Sequence, residues 1–195
     1  LGYRLNNNLK LYTNIGFTYR IPTYTDLFYS SPTTLGNENL KLEKALTKEI
    51  GLKYLKDDFN FNFSIYQRDA SDIIDYVRNN EAEPWQASNI REINTSGFEL
   101  NLGYKFYLGS FRMQTINIGY SNIDDELLET DFAFSRYALN SLKNQITATY
   151  MFEVNENISS TLAYKNAERS DEEKYTVIDF RTSYKLDKFT LSIIL

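Results

Sequence analysis

At 195 residues the chain is long enough for a sizeable core, yet it carries 16 Tyr and 13 Phe beside a negative mean hydropathy of −0.46, an odd pairing for a soluble domain. With no Cys and no His, it excludes zinc sites, thiol nucleophiles and Ser-His-Asp catalysis within this segment. A net charge of −5 argues against nucleic acid as a partner, and no apolar run is long enough for a transmembrane helix.

The chain reads as strand from its first residues, Leu1-Gly2-Tyr3-Arg4-Leu5, with no signal peptide ahead of them, so we expect a piece of a longer protein. After the turn Asn6-Asn7-Asn8, strict alternation sets in. Leu9, Leu11, Ile15, Phe17 and Tyr19 fall on one face, with Lys10, Asn14, Gly16, Thr18 and Arg20 on the other. Phe59, Phe61, Phe63 and Ile65 alternate with Asn60, Asn62, Ser64 and Tyr66. Phe98, Leu100, Leu102, Tyr104 and Phe106 alternate with Gly97, Glu99, Asn101, Gly103 and Lys105. The pattern returns at Ile146, Ala148, Tyr150, Phe152 and Val154, and again at Ile178, Phe180, Tyr184 and Leu186. The second face is polar or small each time, as in a barrel wall with lipid on one side and water on the other. Segments 45–56, 59–76, 91–107 and 137–154 reach the roughly 9–11 residues that a tilted strand needs to cross a membrane.

Connections alternate too. Short turns at 6–8, 56–58, 108–110, 155–157 and 187–188 are separated by long polar stretches near 21–43, 77–90, 123–136 and 168–174. All tight turns therefore fall at one end and all long loops at the other, which is the polarity of an outer-membrane barrel. A soluble sandwich would use shorter strands and spread its loops over both ends. The sequence predicts an all-β fold, a transmembrane antiparallel up-and-down β-barrel, with residues 1–195 in one barrel domain. Eight full strands and two stubs, at 1–5 and 189–195, leave two raw edges, so we expect further strands beyond them.

The stretch Phe17-Thr18-Tyr19-Arg20-Ile21-Pro22 through Asp26-Leu27-Phe28-Tyr29, then Leu35-Gly36-Asn37-Glu38-Asn39-Leu40-Lys41-Leu42-Glu43 and Lys48-Glu49-Ile50-Gly51, carries a resemblance. It resembles the TonB-dependent outer-membrane receptors, with Leu42 standing where that family usually has Pro. Tyr66–Tyr76 and the run from Asn89 to Glu99 extend the likeness, and Asp69–Tyr76 looks most like the vitamin B12 (cobalamin) receptors. The resemblance implies the later half of a barrel of about 22 strands with a plugged lumen. The plug domain, the first barrel half and the last strands are then expected outside this sequence. It further implies a bacterial outer-membrane location, a TonB complex reached through the absent N-terminal region, and active import without a cofactor and without catalysis. Cobalamin is the favoured cargo and a ferric siderophore the alternative. A barrel-embedded hydrolase or a passive porin are the rivals from other classes, and a surface lipoprotein capping the loops is left open as a further partner.

Candidate residues follow from placement. Arg20, Glu43 and Glu49 belong to the polar face or the loop base, where they contact the plug or simply pair with one another across strands. Tyr24, Phe28, Tyr29, Trp85, Phe132 and Phe134 fall in the long loops, where flat rings can hold a bulky amphipathic ligand or merely pack loops together. Trp85 is placed in a loop because Glu81-Ala82-Glu83-Pro84 breaks the alternation just before it. The acidic runs Asp124-Asp125-Glu126 and Asp171-Glu172-Glu173 lack EF-hand spacing and read as solvated loop charge rather than a calcium site.

Overall fold

Alternation of apolar and polar side chains makes a sheet with two unlike faces, and along its main path the long strands pair in chain order. A computed structural model describes residues 1–109, 112–129, 132–136, 142–170 and 172–195, leaving out the side chains of 90, 91 and 127–129. The strands are β1 (Gly2–Arg4), β2 (Leu9–Arg20), β3 (Thr34–Leu35), β4 (Glu43–Lys56), β5 (Phe59–Arg78), β6 (Trp85–Leu108), β7 (Arg112–Glu129), β8 (Phe134–Ser135), β9 (Leu142–Glu153), β10 (Ile158–Arg169), β11 (Lys174–Leu186) and β12 (Phe189–Ile194), with one short helix, α1 (Tyr24–Phe28). The main path is an antiparallel meander, β1-β2-β4-β5-β6-β7-β9-β10-β11-β12.

The register unites the five alternation patterns. Leu9 pairs with Tyr54 and Leu11 with Leu52; Ile50 pairs with Ile65, and Ile65 with Phe98. Leu100 pairs with Tyr120, Tyr120 with Ile146, Tyr150 with Leu162 and Leu162 with Phe180. Directly paired residues share a face, so these side chains form one continuous apolar face, and Phe61, Phe98, Leu100 and Phe152 all belong to it. Ile15, Phe17, Tyr19 and Ile178 on that face are more than 60% exposed, which suits a surface meant for lipid. A concavity of about 620 Å³ lies on the same side, walled by Ile15, Ile50, Ile65 and Phe98.

The apolar rows do not run level with the hydrogen bonds. They end at Tyr19 in β2, Leu46 in β4, Ile65 in β5, Tyr120 in β7 and Tyr164 in β10. Tyr19 aligns through Lys44 with Ser71, well beyond Ile65, where the row ends in β5. Polar groups enter or border the upper edge: Lys48, between Ile50 and Leu46 in the β4 row, bridges Asp69 at 3.1 Å, and Asn144 accepts from Tyr120 and Asn122. Toward the tight turns the face closes with ring pairs Tyr54–Phe59, Tyr104–Phe106 and Tyr150–Phe152 at 5.1–6.0 Å, in the position of an interfacial aromatic girdle.

The polar face is thin by construction. Tyr12 lies over its partner Gly51, where an added Cβ would stand 2.3 Å from the ring, and its hydroxyl donates to Glu49 at 3.1 Å. Only glycine leaves room for the ring to lie flat there. The tight turns are self-contained: the Asn6 amide oxygen accepts the N–H groups of Asn8 and Leu9, and Asn155 repeats the device for Asn157 and Ile158.

The long connections depart from expectation. The expected loop 77–90 contracts to 79–84, because β5 runs to Arg78 and β6 starts at Trp85; likewise β7 runs to Glu129 inside the expected loop 123–136. Strands also reach into 168–174, as far as Arg169 and from Lys174. Alternation fails in the β5–β6 tip for a physical reason. Ile74, Asp75, Tyr76, Val77 and Ala87 are all buried, so both faces are covered and neither needs to be polar. The first part of the expected strand 137–154 lies outside the described residues, β9 being described from Leu142.

Candidate functional site

At the long-connection end, two short strands extend the β5–β6 tip sideways. β3, from the connection between β2 and β4, pairs with β6 on the edge facing away from its own strands, at Thr34–Trp85 and Leu35–Gln86. β8, from the connection between β7 and β9, pairs with β5 on the opposite edge, at Val77–Ser135 and Arg78–Phe134. Each connection thus crosses the tip to reach the far side.

Local chemistry shapes the first connection. Thr23 caps α1: its hydroxyl accepts the Asp26 N–H while the Asp26 carboxylate accepts the Thr23 N–H, a capping box. Arg20, the last residue of β2, donates to Asp26 at 3.3 Å and to Glu43, the first residue of β4, at 2.7 Å. Glu43 also accepts the Ile74 N–H at 2.7 Å, continuing the β4 ladder with a side chain. Burial alone pushes the Asp26 carboxyl upward; hydrogen bonds from Thr23 and the Arg20 charge outweigh it and hold it below the usual carboxylate range. Gly36 is obligatory, since a Cβ there would meet the backbone of Leu27 and Asp26 at 2.8–2.9 Å.

The candidate residues separate into groups. Arg20 and Glu43 are brought together as one ionic unit with Asp26, whereas Glu49 lies further down β4, bound to Tyr12. Tyr24 and Phe28 stand on α1 with ring centroids 5.1 Å apart, and Tyr29 follows as its C-cap; all three are exposed. Trp85 is the first residue of β6 rather than a loop residue, because the parallel pairing with β3 draws it into the sheet. Its indole has the Arg78 guanidinium 4.3 Å and the Arg136 guanidinium 5.8 Å from its centre, and Phe134 of β8 lies 5.6 Å from Arg78. Phe132 is half-buried beside this cluster in sequence.

Sequence reasoning missed Asp26, Asp75, Tyr76 and Asn89 as structural keys. The Thr23-x-x-Asp26 spacing is a capping-box signal that points to Asp26; the others have no local signature, because their partners are distant in sequence. Asp124, Asp125 and Glu126 sit in β7 instead of a loop, and Asp125 accepts from the Thr95 hydroxyl. Asp171 lies outside the described residues. Among the described residues no acidic group is arranged to hold a metal ion. The arrangement can offer flat rings and guanidinium charge to a large ligand at the long-connection end.

Residues 1–193 match the family model described as TonB dependent receptor-like, beta-barrel. A curated relative is the "Vitamin B12 transporter BtuB" of Photobacterium profundum, 23% identical over 188 residues, covering 93% of this chain and 30% of that protein. Among solved structures, the siderophore receptor PirA from Pseudomonas aeruginosa superposes with a TM-score of 0.66 at 19% identity, over 95% of this chain and 32% of that one. The copper transporter OprC gives 0.71 at 17% identity, over 98% and 31%. The chain therefore spans about a third of the length of the proteins it matches.

Proposed function

We propose a transport role from one premise: the chain belongs to the TonB dependent receptor-like β-barrel family. The proposed protein sits in the bacterial outer membrane, captures a bulky, scarce nutrient with its extracellular connections, and imports it when a TonB complex rearranges a plug that lies outside this sequence. The apolar face then meets lipid and the polar face lines the lumen. Cobalamin is the favoured cargo, and the observation that carries it is the alignment with a B12 transporter along 93% of this chain. The exposed rings of Tyr24, Phe28 and Tyr29, and the Trp85–Phe134 cluster, supply area for such a ligand at low entropic cost. Arg20 and Glu43 hold the first connection in place, which leaves Glu49 as the plug-facing candidate of the three.

Equilibrium binding of cyanocobalamin and of ferric siderophores to the intact receptor tests this reading. Saturable binding of cyanocobalamin, weakened about tenfold by Trp85→Ala or Phe28→Ala, is the expected result. Binding of a ferric siderophore alone would move the assignment to that ligand class, and binding unaffected by both substitutions would remove the aromatic site.

A further inference from the structure

The β5–β6 tip is gripped from two sides by connections that begin on opposite flanks of it. Tyr76 touches both. Its hydroxyl donates to the Asp26 carboxylate of the first connection at 3.4 Å, and its carbonyl accepts the Arg136 N–H of the second at 3.0 Å. Next to it, the Asp75 carboxylate accepts the Ser135 hydroxyl of the second connection. Asp75 and Val77 are each 1% exposed, so water is kept from this joint.

The first connection is fastened at further points along the tip. The Asn89 side-chain amide treats Lys41 as a neighbouring strand would: it accepts the Lys41 N–H at 2.8 Å and donates to the Lys41 carbonyl at 3.2 Å. It also donates to the Asp72 carbonyl at 2.6 Å, where the backbone adopts φ 54°. Asn37 donates to the Ala87 carbonyl, Gln86 to the Gly36 carbonyl and the Trp85 N–H to the Thr33 carbonyl. Ordinary loop packing needs none of these bonds to reach across the tip, and each could then loosen alone.

We propose that both connections and the β5–β6 tip form one latched body, with Tyr76 as the shared joint and Asn89 and Glu43 as positioning residues. Loosening either connection then loosens the other. The two aromatic groups, on α1 and around Arg78, are held at fixed spacing before any ligand arrives, which favours a rigid ligand over an adaptable one. Linkage makes the coupling reciprocal, and that reciprocity separates a latched body from two independently packed loops.

Hydrogen exchange on the full-length receptor in detergent tests this without any ligand, so its outcome is independent of the transport reading. Among the described residues, Asn89→Ala removes three side-chain hydrogen bonds, two to the first connection and one to the Asp72 carbonyl of β5. It is expected to speed exchange by at least about fivefold, the factor for a single lost bond, in 23–41 and also in 132–136. Ser135→Ala is expected to do the reverse, speeding 132–136 and also 23–41. Exchange in 174–186 should stay unchanged and reports an intact wall. Acceleration confined to the mutated connection in both variants overturns the proposal; should Asn89→Ala fail to assemble, Ser135→Ala decides alone. Tyr76→Phe keeps the ring and removes the hydroxyl, and is expected to weaken the cross-effect, with Trp85 still bridging the Thr33 carbonyl and the Arg136 guanidinium. An undiminished effect would overturn Tyr76 as the joint.

Discussion

The wall and the head of this chain obey different rules. In the wall, from the tight turns up to the polar border, the strands repeat one instruction, apolar on one face and polar or small on the other, with few breaks such as Lys48 among the apolar residues of β4. In the head, the β5–β6 tip with its two crossing connections, side chains on both faces are buried and the backbone is satisfied by distant amides and carboxylates. The wall is held by its surroundings, because its apolar face is complete only against lipid. The head makes its own interior.

That contrast is sharpest for a charge on the wall. Leu100→Lys should destabilise the receptor in lipid vesicles by about 2–4 kcal/mol, whereas Asn101→Lys, one residue on and facing the other side, should change stability by less than about 1 kcal/mol. Urea unfolding in vesicles measures both, and equal losses would dissolve the distinction between the faces.

Next comes Gly51→Val, which drives a side chain into Tyr12 and should lower stability by about 1–3 kcal/mol. Adding Tyr12→Ala should restore part of that loss, a coupling read from a double-mutant cycle. Additive losses would mean the ring does not depend on the glycine.

In the head, Gly36→Ala should displace α1 and leave the wall alone, at about 1 kcal/mol of local order. A spin label at Thr25 should become mobile while one at Phe61 stays fixed. Equal mobilisation at both sites would show that head and wall are not separable.

The smallest expected effect is on acid sensitivity. The Asp26 carboxyl is depressed in the folded chain, so its contribution is fully present above the ordinary aspartate value of about 3.9 and fades as pH falls through the lower folded value. The Thr25 label should thus stay ordered on titration down to about pH 4 and loosen only below it. In Asp26→Asn the same label should be looser at neutral pH and respond less to acid.

The wall was legible because a period of two needs only near neighbours. Phe61, Phe98, Leu100 and Phe152 could each be assigned a face from the residues beside them, and the pairing puts all four on the same side. Trp85 was misplaced because Pro84 and the acidic residues before it signal a loop, while the partner that makes it strand, Thr34, is remote in sequence. Arg20 and Glu43 were singled out from their position at the loop base, but their link through Asp26 depends on α1 folding back, which alternation does not encode. The aromatic candidates, expected in long loops, lie (Phe132 apart) on α1 and its C-cap and on the short-strand pairings of β6 and β8. Their division into two groups needed the crossing of the connections.

The slanted upper limit of the apolar rows has a geometric meaning. A bilayer is flat, so a hydrocarbon edge that slips along the hydrogen-bond ladder from Tyr19 to Tyr164 can be horizontal only if every strand leans. Lean and slip together fix how steeply the ladder winds about the pore axis, like the pitch of a screw thread. A strand sliding by two residues would keep its side chains on their proper sides, yet it would lift its part of the edge by about 7 Å along the strand. Parity of the pleat cannot detect that error. The flat edge of the membrane can, and in that sense the lipid proofreads the register.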